Sequence, residues 1–219
     1  DVVDAAFDRF IAPSVPVLFV LTVVEDIGDR TVLRAVFGGE GGSMEAGGAA
    51  YRAAAELART VNLDVVPEPF ERVVCWLDPV EFHSTWLGNK AVYRTRMAIA
   101  DGGELFVLAP GVKRFGEDDR IDELIRAFGY RGTPATLAAV RSGGPLSTNL
   151  AAAAHLVHGS SEGRFRIVWC TDPSTGLTKD EIESVGYDWC DLASAMERFG
   201  VDGSTPSGRR SAADETEFE

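Results

Sequence analysis

Trp86, Lys90 and Arg94 stand four residues apart, a spacing that stacks them on one face of a helix with Tyr93 and Met97 alongside. Leu87, Ala91 and Ala98 form an adjoining apolar face, so Lys90 falls where core meets solvent. An ammonium at such a border is partly dehydrated yet reachable, which strengthens its attraction for a carboxylate. A second pair of cations, Lys113 and Arg114, lies in GVKRFGEDD, directly after the strand-like ELFVLAP. Loops leaving the carboxyl ends of strands in open α/β sheets are where ligands bind, and the helix amides after Glu117 could add to an anion site. The chemistry these residues suit is holding a small organic anion. Each group also has an ordinary reading. The helix stripe can be a solvated basic face, and Lys113 and Arg114 can pair with Glu117, Asp118 and Asp119.

The chain has three histidines, His83, His155 and His158. His155 and His158 are three apart and share a helix face, a spacing that could ligate metal or flank a substrate. No third ligand is evident, and a packing histidine followed by one favoured at the helix carboxyl end accounts for the pair. Ser84 and Thr85 read as helix caps, with no base and acid partner to make either a nucleophile. Cys75, Cys170 and Cys190 form neither a CxxC pair nor an even set, so they read as packed free thiols. Neither GxGxxG nor a P-loop is present. No catalytic residue and no metal ligand is assigned from the sequence.

The elements that position these residues follow from hydrophobic patterning. The run VPVLFVLTVVED is almost wholly apolar and β-branched, which predicts a central strand covered on both faces, with TVLRAVFGG as its antiparallel hairpin partner. A helix is predicted over 43–61 and a buried strand in RVVCWL. A single helix is predicted from Ser84 to Ala100, ended by the Gly102-Gly103 pair. Three more helices follow. The first is capped by Asp118 or Asp119 and closed by Gly129, the second opens with Pro134, and the third is capped by Asn149. RFRIVWC is a strand, TKDEIESVG a helix with a Thr178/Glu181 capping box, and YDWCDLASAMERFG a short extended piece followed by a helix. This alternation implies an α/β, Rossmann-like fold, a layered, largely parallel mixed sheet flanked by helices. It is expected as one domain over 1–202, with 203–219 a disordered tail.

Composition narrows the partners. The 219 residues carry a formal net charge of -13 and a hydrophobic share of 45%, enough for one sizeable core. An acidic chain of this kind is not expected to bind nucleic acid or an anionic membrane, both of which need a basic face. No apolar run approaches the roughly 20 residues that span a bilayer, and the expected compartment is the cytoplasm. The first residue is Asp1, which suggests a piece of a longer protein.

The stretch STWLGNKAVYRTRMAIADGGELFVLAPGVKRFGED, supported by NLAAAAHLVHGSSEGRF and IESVGYDW, resembles the C-terminal domain of the nickel-dependent lactate racemase family, in a sugar-acid epimerase-like branch. The resemblance runs from about Val15 to Phe199. It implies that Lys90 binds the substrate carboxylate, with Trp86 at the family's aromatic position and Asn89 beside the lysine. Leu87 stands where lactate racemases carry a second carboxylate-binding residue, a glutamine. The implied substrate is therefore a 2-hydroxy acid, lactate or a longer aldonate whose hydroxyls Arg94, Lys113, Arg114 or Asn149 would read. The implied reaction removes hydride from the α-carbon to a nickel-pincer nucleotide and returns it to the other face. That cofactor and the acid/base histidines belong to an N-terminal domain with no counterpart in this sequence, so the isolated chain is expected to be inactive. The alternative expectation is a noncatalytic small-anion-binding or regulatory module.

Overall fold

A computed structural model describes residues 5, 9, 10, 17–27, 30–41, 44–63 and 65–203. The described residues form two compact units, one up to Val65 and one from Val66 onward, a division that the sequence patterning does not mark. Apart from Gly203, the expected tail lies outside the described residues.

In the first unit, β1 (Val17–Ile27) and β2 (Arg30–Gly41) pair antiparallel, as the hairpin pattern predicts, with a bulge between Val23 and Val24. Helix α1 (Met44–Asn62) packs on this ribbon, and Asn62 donates to the Val24 carbonyl at 2.9 Å. The expectation of a central strand is corrected here: β1 belongs to a two-stranded sheet. Val23 is buried, whereas Val20, Val24, Leu33 and Val36 on the other face are exposed. A continuous apolar run lacks the alternation that would tell a strand with one covered face from a strand with two.

The second unit is built on four parallel strands in the order β3 (Phe70–Trp76), β4 (Ile99–Leu108), β5 (Arg166–Thr171) and β6 (Asp188–Asp191). The α/β, Rossmann-like layered fold expected from the alternation is present. Strand side chains alternate between faces, and the two faces have different covers. Leu105, Val107, Ile167 and Trp169 join the larger core with Val92, Phe115, Ile125, Leu156 and Ile182. Phe106, Leu108, Val168 and Cys170 meet Leu192 and Ala195 of α8 (Leu192–Phe199) on the opposite side. Trp169 is fully buried, and the burial of a side chain of that size is worth about 3 kcal/mol.

Most predicted caps are realised. Asp118 accepts from the Ile121 amide to open α4 (Asp119–Phe128), which Gly129 closes at φ 63. Pro134 sits in the first turn of α5 (Thr133–Arg141), and Asn149 caps α6 (Leu150–His158). Thr178 and Glu181 complete the capping box of α7 (Lys179–Ser184).

The helix expected from Ser84 to Ala100 is instead two short pieces, α2 (Thr85–Gly88) and α3 (Lys90–Thr95). A Cβ on Gly88 would lie 2.8 Å from Trp169 and 2.9 Å from Leu77, so the sheet approaches the backbone closely just where the helix breaks. The glycine pair 102–103 does not end a helix. It lies inside β4, where Gly102 adopts φ +83 and the pairing with β3 shifts register between Phe70 and Arg72. Glycine serves here as a strand irregularity, the other conformational use of a positive φ.

Candidate functional site

At the carboxyl ends of β3 and β4, two loops are sewn together. Lys113 donates its amide to the His83 carbonyl at 3.0 Å, Thr85 to Arg114 at 3.1 Å and Trp86 to Phe115 at 2.8 Å. Gly111 is required for this approach, because a Cβ would stand 2.6 Å from the Pro79 carbonyl. The second loop is clamped by Asp122, whose carboxylate accepts from the Phe115 amide at 2.7 Å and the Gly116 amide at 3.0 Å. Partial burial works against ionisation of Asp122, but these amides and the Arg126 guanidinium outweigh it and hold its pKa below the usual carboxylate value.

Lys90, the first residue of α3, projects from this stitched edge. Its side chain is 35% exposed, and its Nζ lies 5.6 Å from the centre of the Phe82 ring. Glu81 Oε1 is 3.9 Å away, at the limit of an ion pair, on a side chain that is 63% exposed. Such a pair contributes at most about 1 kcal/mol and can be displaced by a better-placed anion. Trp86, one turn earlier, is half-buried and lies against His155 with ring centres 4.4 Å apart. Arg94 is exposed one turn beyond Lys90. Lys113 and His83 are exposed neighbours on the two stitched loops.

The remaining expected residues are engaged elsewhere. Arg114 bonds Asp119 at 2.8 Å and approaches Asp122 at 4.0 Å, so its charge is already met. Asn149 Oδ1 accepts from the Ala152 amide at 3.0 Å as a helix cap. Asn89 is 1% exposed and turned into the interior, where its amide meets His155 and Tyr187. Buried beside it are Thr85, Tyr130 and Tyr187, which sequence reasoning did not associate with the site. Their only local signal is Thr85 and Asn89 placed four apart; nothing in the sequence around Tyr130 or Tyr187 points to either.

His155 and His158 share α6, but His155 is buried and His158 exposed. Burial, aided by His158, pushes the His155 pKa down to about 4. Among the described residues no group of three or more His, Cys, Asp or Glu is placed to hold a metal ion. No described helix is long and apolar enough to cross a membrane.

Among the described residues, three surface hollows lie toward the amino ends of the strands, and Lys90 lines none of them. One of about 310 Å³ is lined by Arg131, Ser160 and Glu162, and one of about 190 Å³ by Arg166 and Asp188. The third, about 300 Å³, is lined by Arg72 and Glu104. Their charges are largely spent. Arg72 and Arg166 both bond Glu104, Arg166 also bonds Asp188, and Glu162 caps α5 through Thr133. At the carboxyl edge, by contrast, Lys90 has only the loose Glu81 pair, and Lys113 has no ion pair among the described residues.

No family model matches the chain, and no curated protein matches it. Solved structures share its fold, two of them as follows. A Thermotoga maritima protein superposes with a TM-score of 0.64 at 21% identity, over 82% of this chain and 44% of its own. The lactate racemase apoprotein from Thermoanaerobacterium thermosaccharolyticum superposes with a TM-score of 0.56 at 13% identity, over 83% of this chain and 40% of its own. The chain spans less than half the length of either protein, and at these identities the likeness is one of fold.

Proposed function

We propose that this chain is the substrate-anchoring domain of a 2-hydroxy acid racemase or epimerase, with Lys90 gripping the substrate carboxylate. The observation that carries this reading is a half-buried ammonium over Phe82 whose paired carboxylate, Glu81, is exposed and only loosely engaged at 3.9 Å. A substrate carboxylate displaces Glu81 at little cost and gains a charge-assisted bond in a partly dehydrated setting. In this reading Trp86 lines the bound acid, and Arg94 and Lys113 read the hydroxyls of an aldonate-length acid. The fold shared with a lactate racemase apoprotein supports this class over a simple anion-binding module.

The reaction of this class uses a nickel-pincer nucleotide as hydride acceptor and donor. In this reading the cofactor is held by a domain outside this sequence. The part played by this chain is orientation: a carboxylate fixed at Lys90 keeps the α-carbon in place while its configuration changes, which lowers the entropic share of the barrier.

The test is Lys90→Ala in the longer protein that carries the cofactor domain, assayed with lactate and gluconate. Loss of a charge-assisted bond predicts a fall in kcat/KM of about a hundredfold. Unchanged kcat/KM for both acids defeats the assignment. Retained lactate or gluconate binding by a longer protein that turns over neither acid favours the noncatalytic module.

A further inference from the structure

Behind Lys90 lies a buried polar chain whose proton positions can be worked out from its ends. Thr85 Oγ1 lies 3.0 Å from the Phe115 carbonyl and 3.0 Å from Tyr130 Oη, which is 2.8 Å from His155 Nε2. His155 Nε2 is 3.2 Å from the Asn89 amide, whose other arm is 3.0 Å from Tyr187 Oη, itself 2.9 Å from the Gly159 carbonyl. Both ends are backbone carbonyls, which only accept. Thr85 must therefore donate to Phe115 and accept from the Tyr130 hydroxyl, and Tyr187 must donate to Gly159.

With Asn89 Nδ2 facing His155, Tyr187 has one proton for two acceptors, and the Tyr130 oxygen faces a bare His155 nitrogen. A half-turn of the amide removes both conflicts. Asn89 Nδ2 then donates to Tyr187, and its Oδ1 accepts, together with Tyr130 Oη, from a protonated His155 Nε2. This ordering gives each of these six contacts a donor.

We propose that His155 is a positioning residue, held as the neutral Nε2–H tautomer, that fastens Asn89 and so fixes the start of the helix carrying Lys90. Asn89 is the residue through which this acts: its carbonyl receives the Val92 and Tyr93 amides that begin α3. The role for ligand binding rests on reading Lys90 as the anion anchor; the tautomer and the fastening do not.

Long-range nitrogen–proton correlation spectra of the 219-residue chain at neutral pH read the tautomer directly. The expected result is a protonated Nε2 and a bare Nδ1 at His155. A protonated Nδ1 with a bare Nε2 overturns the assignment. Hydrogen exchange then tests the fastening in two variants. His155→Leu removes the donor and should speed exchange of the Val92 and Tyr93 amides about tenfold, the scale of one lost buried hydrogen bond. His155→Gln, which can place an amide donor near the same point, should restore slow exchange. Wild-type exchange in the leucine variant, or equal loss in both, overturns the proposal. If the leucine variant does not fold, the wild-type spectrum and the glutamine variant decide. Titration with lactate separates the two readings. If wild type and Lys90→Ala both fail to bind while the spectrum and exchange results hold, the anchor reading falls and the positioning role of His155 stands.

Discussion

The two ends of the parallel sheet use the same kinds of charge in opposite ways. At the amino end, Arg72, Glu104 and Arg166 are strand partners in register, and Asp188 on β6, opposite Val168, meets Arg166 diagonally. Cations and anions face each other at 2.8–3.0 Å, so the ladder is self-neutralising. At the carboxyl end, Lys90 and Lys113 stand on a short helix and a loop, where no register sets a carboxylate opposite them. Regular pairing consumes charge, and irregular backbone leaves it available. That difference, more than the depth of any hollow, makes the carboxyl end the better place for an anion to bind.

The largest effect expected from disturbing the contrast is structural. In Gly159→Ala, the added Cβ would lie 2.4 Å from the Asn89 amide and 2.6 Å from Tyr130, within the buried support of the carboxyl end. A loss of about 3 kcal/mol is expected in urea unfolding, the upper range for forcing extra volume into a packed site. An unchanged midpoint would mean that the support is loosely packed and the contrast overstated.

Acid should strain the same support to a comparable degree. His155 titrates at about 4 in the folded chain, against an ordinary value of 6.5. Between these values the unfolded chain binds the extra proton, so stability is full above pH 6.5 and declines as pH falls toward 4. The difference corresponds to about 3 kcal/mol. Asp122 and Glu181, whose pKa values are lowered by their partners, add their losses as pH drops further, below the ordinary carboxylate range. Urea midpoints across this window should slope in wild type and flatten in His155→Gln. An equal slope in both would assign the acid sensitivity elsewhere.

Removing the ladder should do least. Glu104→Gln weakens two partly exposed pairs and is expected to cost about 1 kcal/mol, less in high salt, with lactate and gluconate binding unchanged. A matching loss of anion binding would show that the two ends do not act separately.

How much of this was legible in the sequence depended on the range of the interaction. The caps at Asp118, Asn149 and Thr178 and the apolar strands declare themselves within a few residues, and the α/β alternation follows from them. Lys90 was legible as a border residue from its helical spacing and from the family resemblance. The break after Gly88 was not, since it depends on Trp169, a distant residue that fills the space the glycine leaves. The inward turn of Asn89 depends on Tyr187, 98 residues away, so a residue that reads as a ligand contact is part of the scaffold. The exposed face of β1 was hidden for the opposite reason: its apolar run is too uniform to reveal which side is covered.

The central claim is that Lys90 holds an organic acid, and calorimetric titration of the chain with gluconate and lactate, in wild type and in Lys90→Ala, tests it most directly. The account predicts saturable binding of at least one acid by wild type and its loss in the variant, with the unfolding free energy from urea titration changed by no more than about 0.5 kcal/mol because the Glu81 pair is exposed. Equal affinity in the two proteins would contradict it.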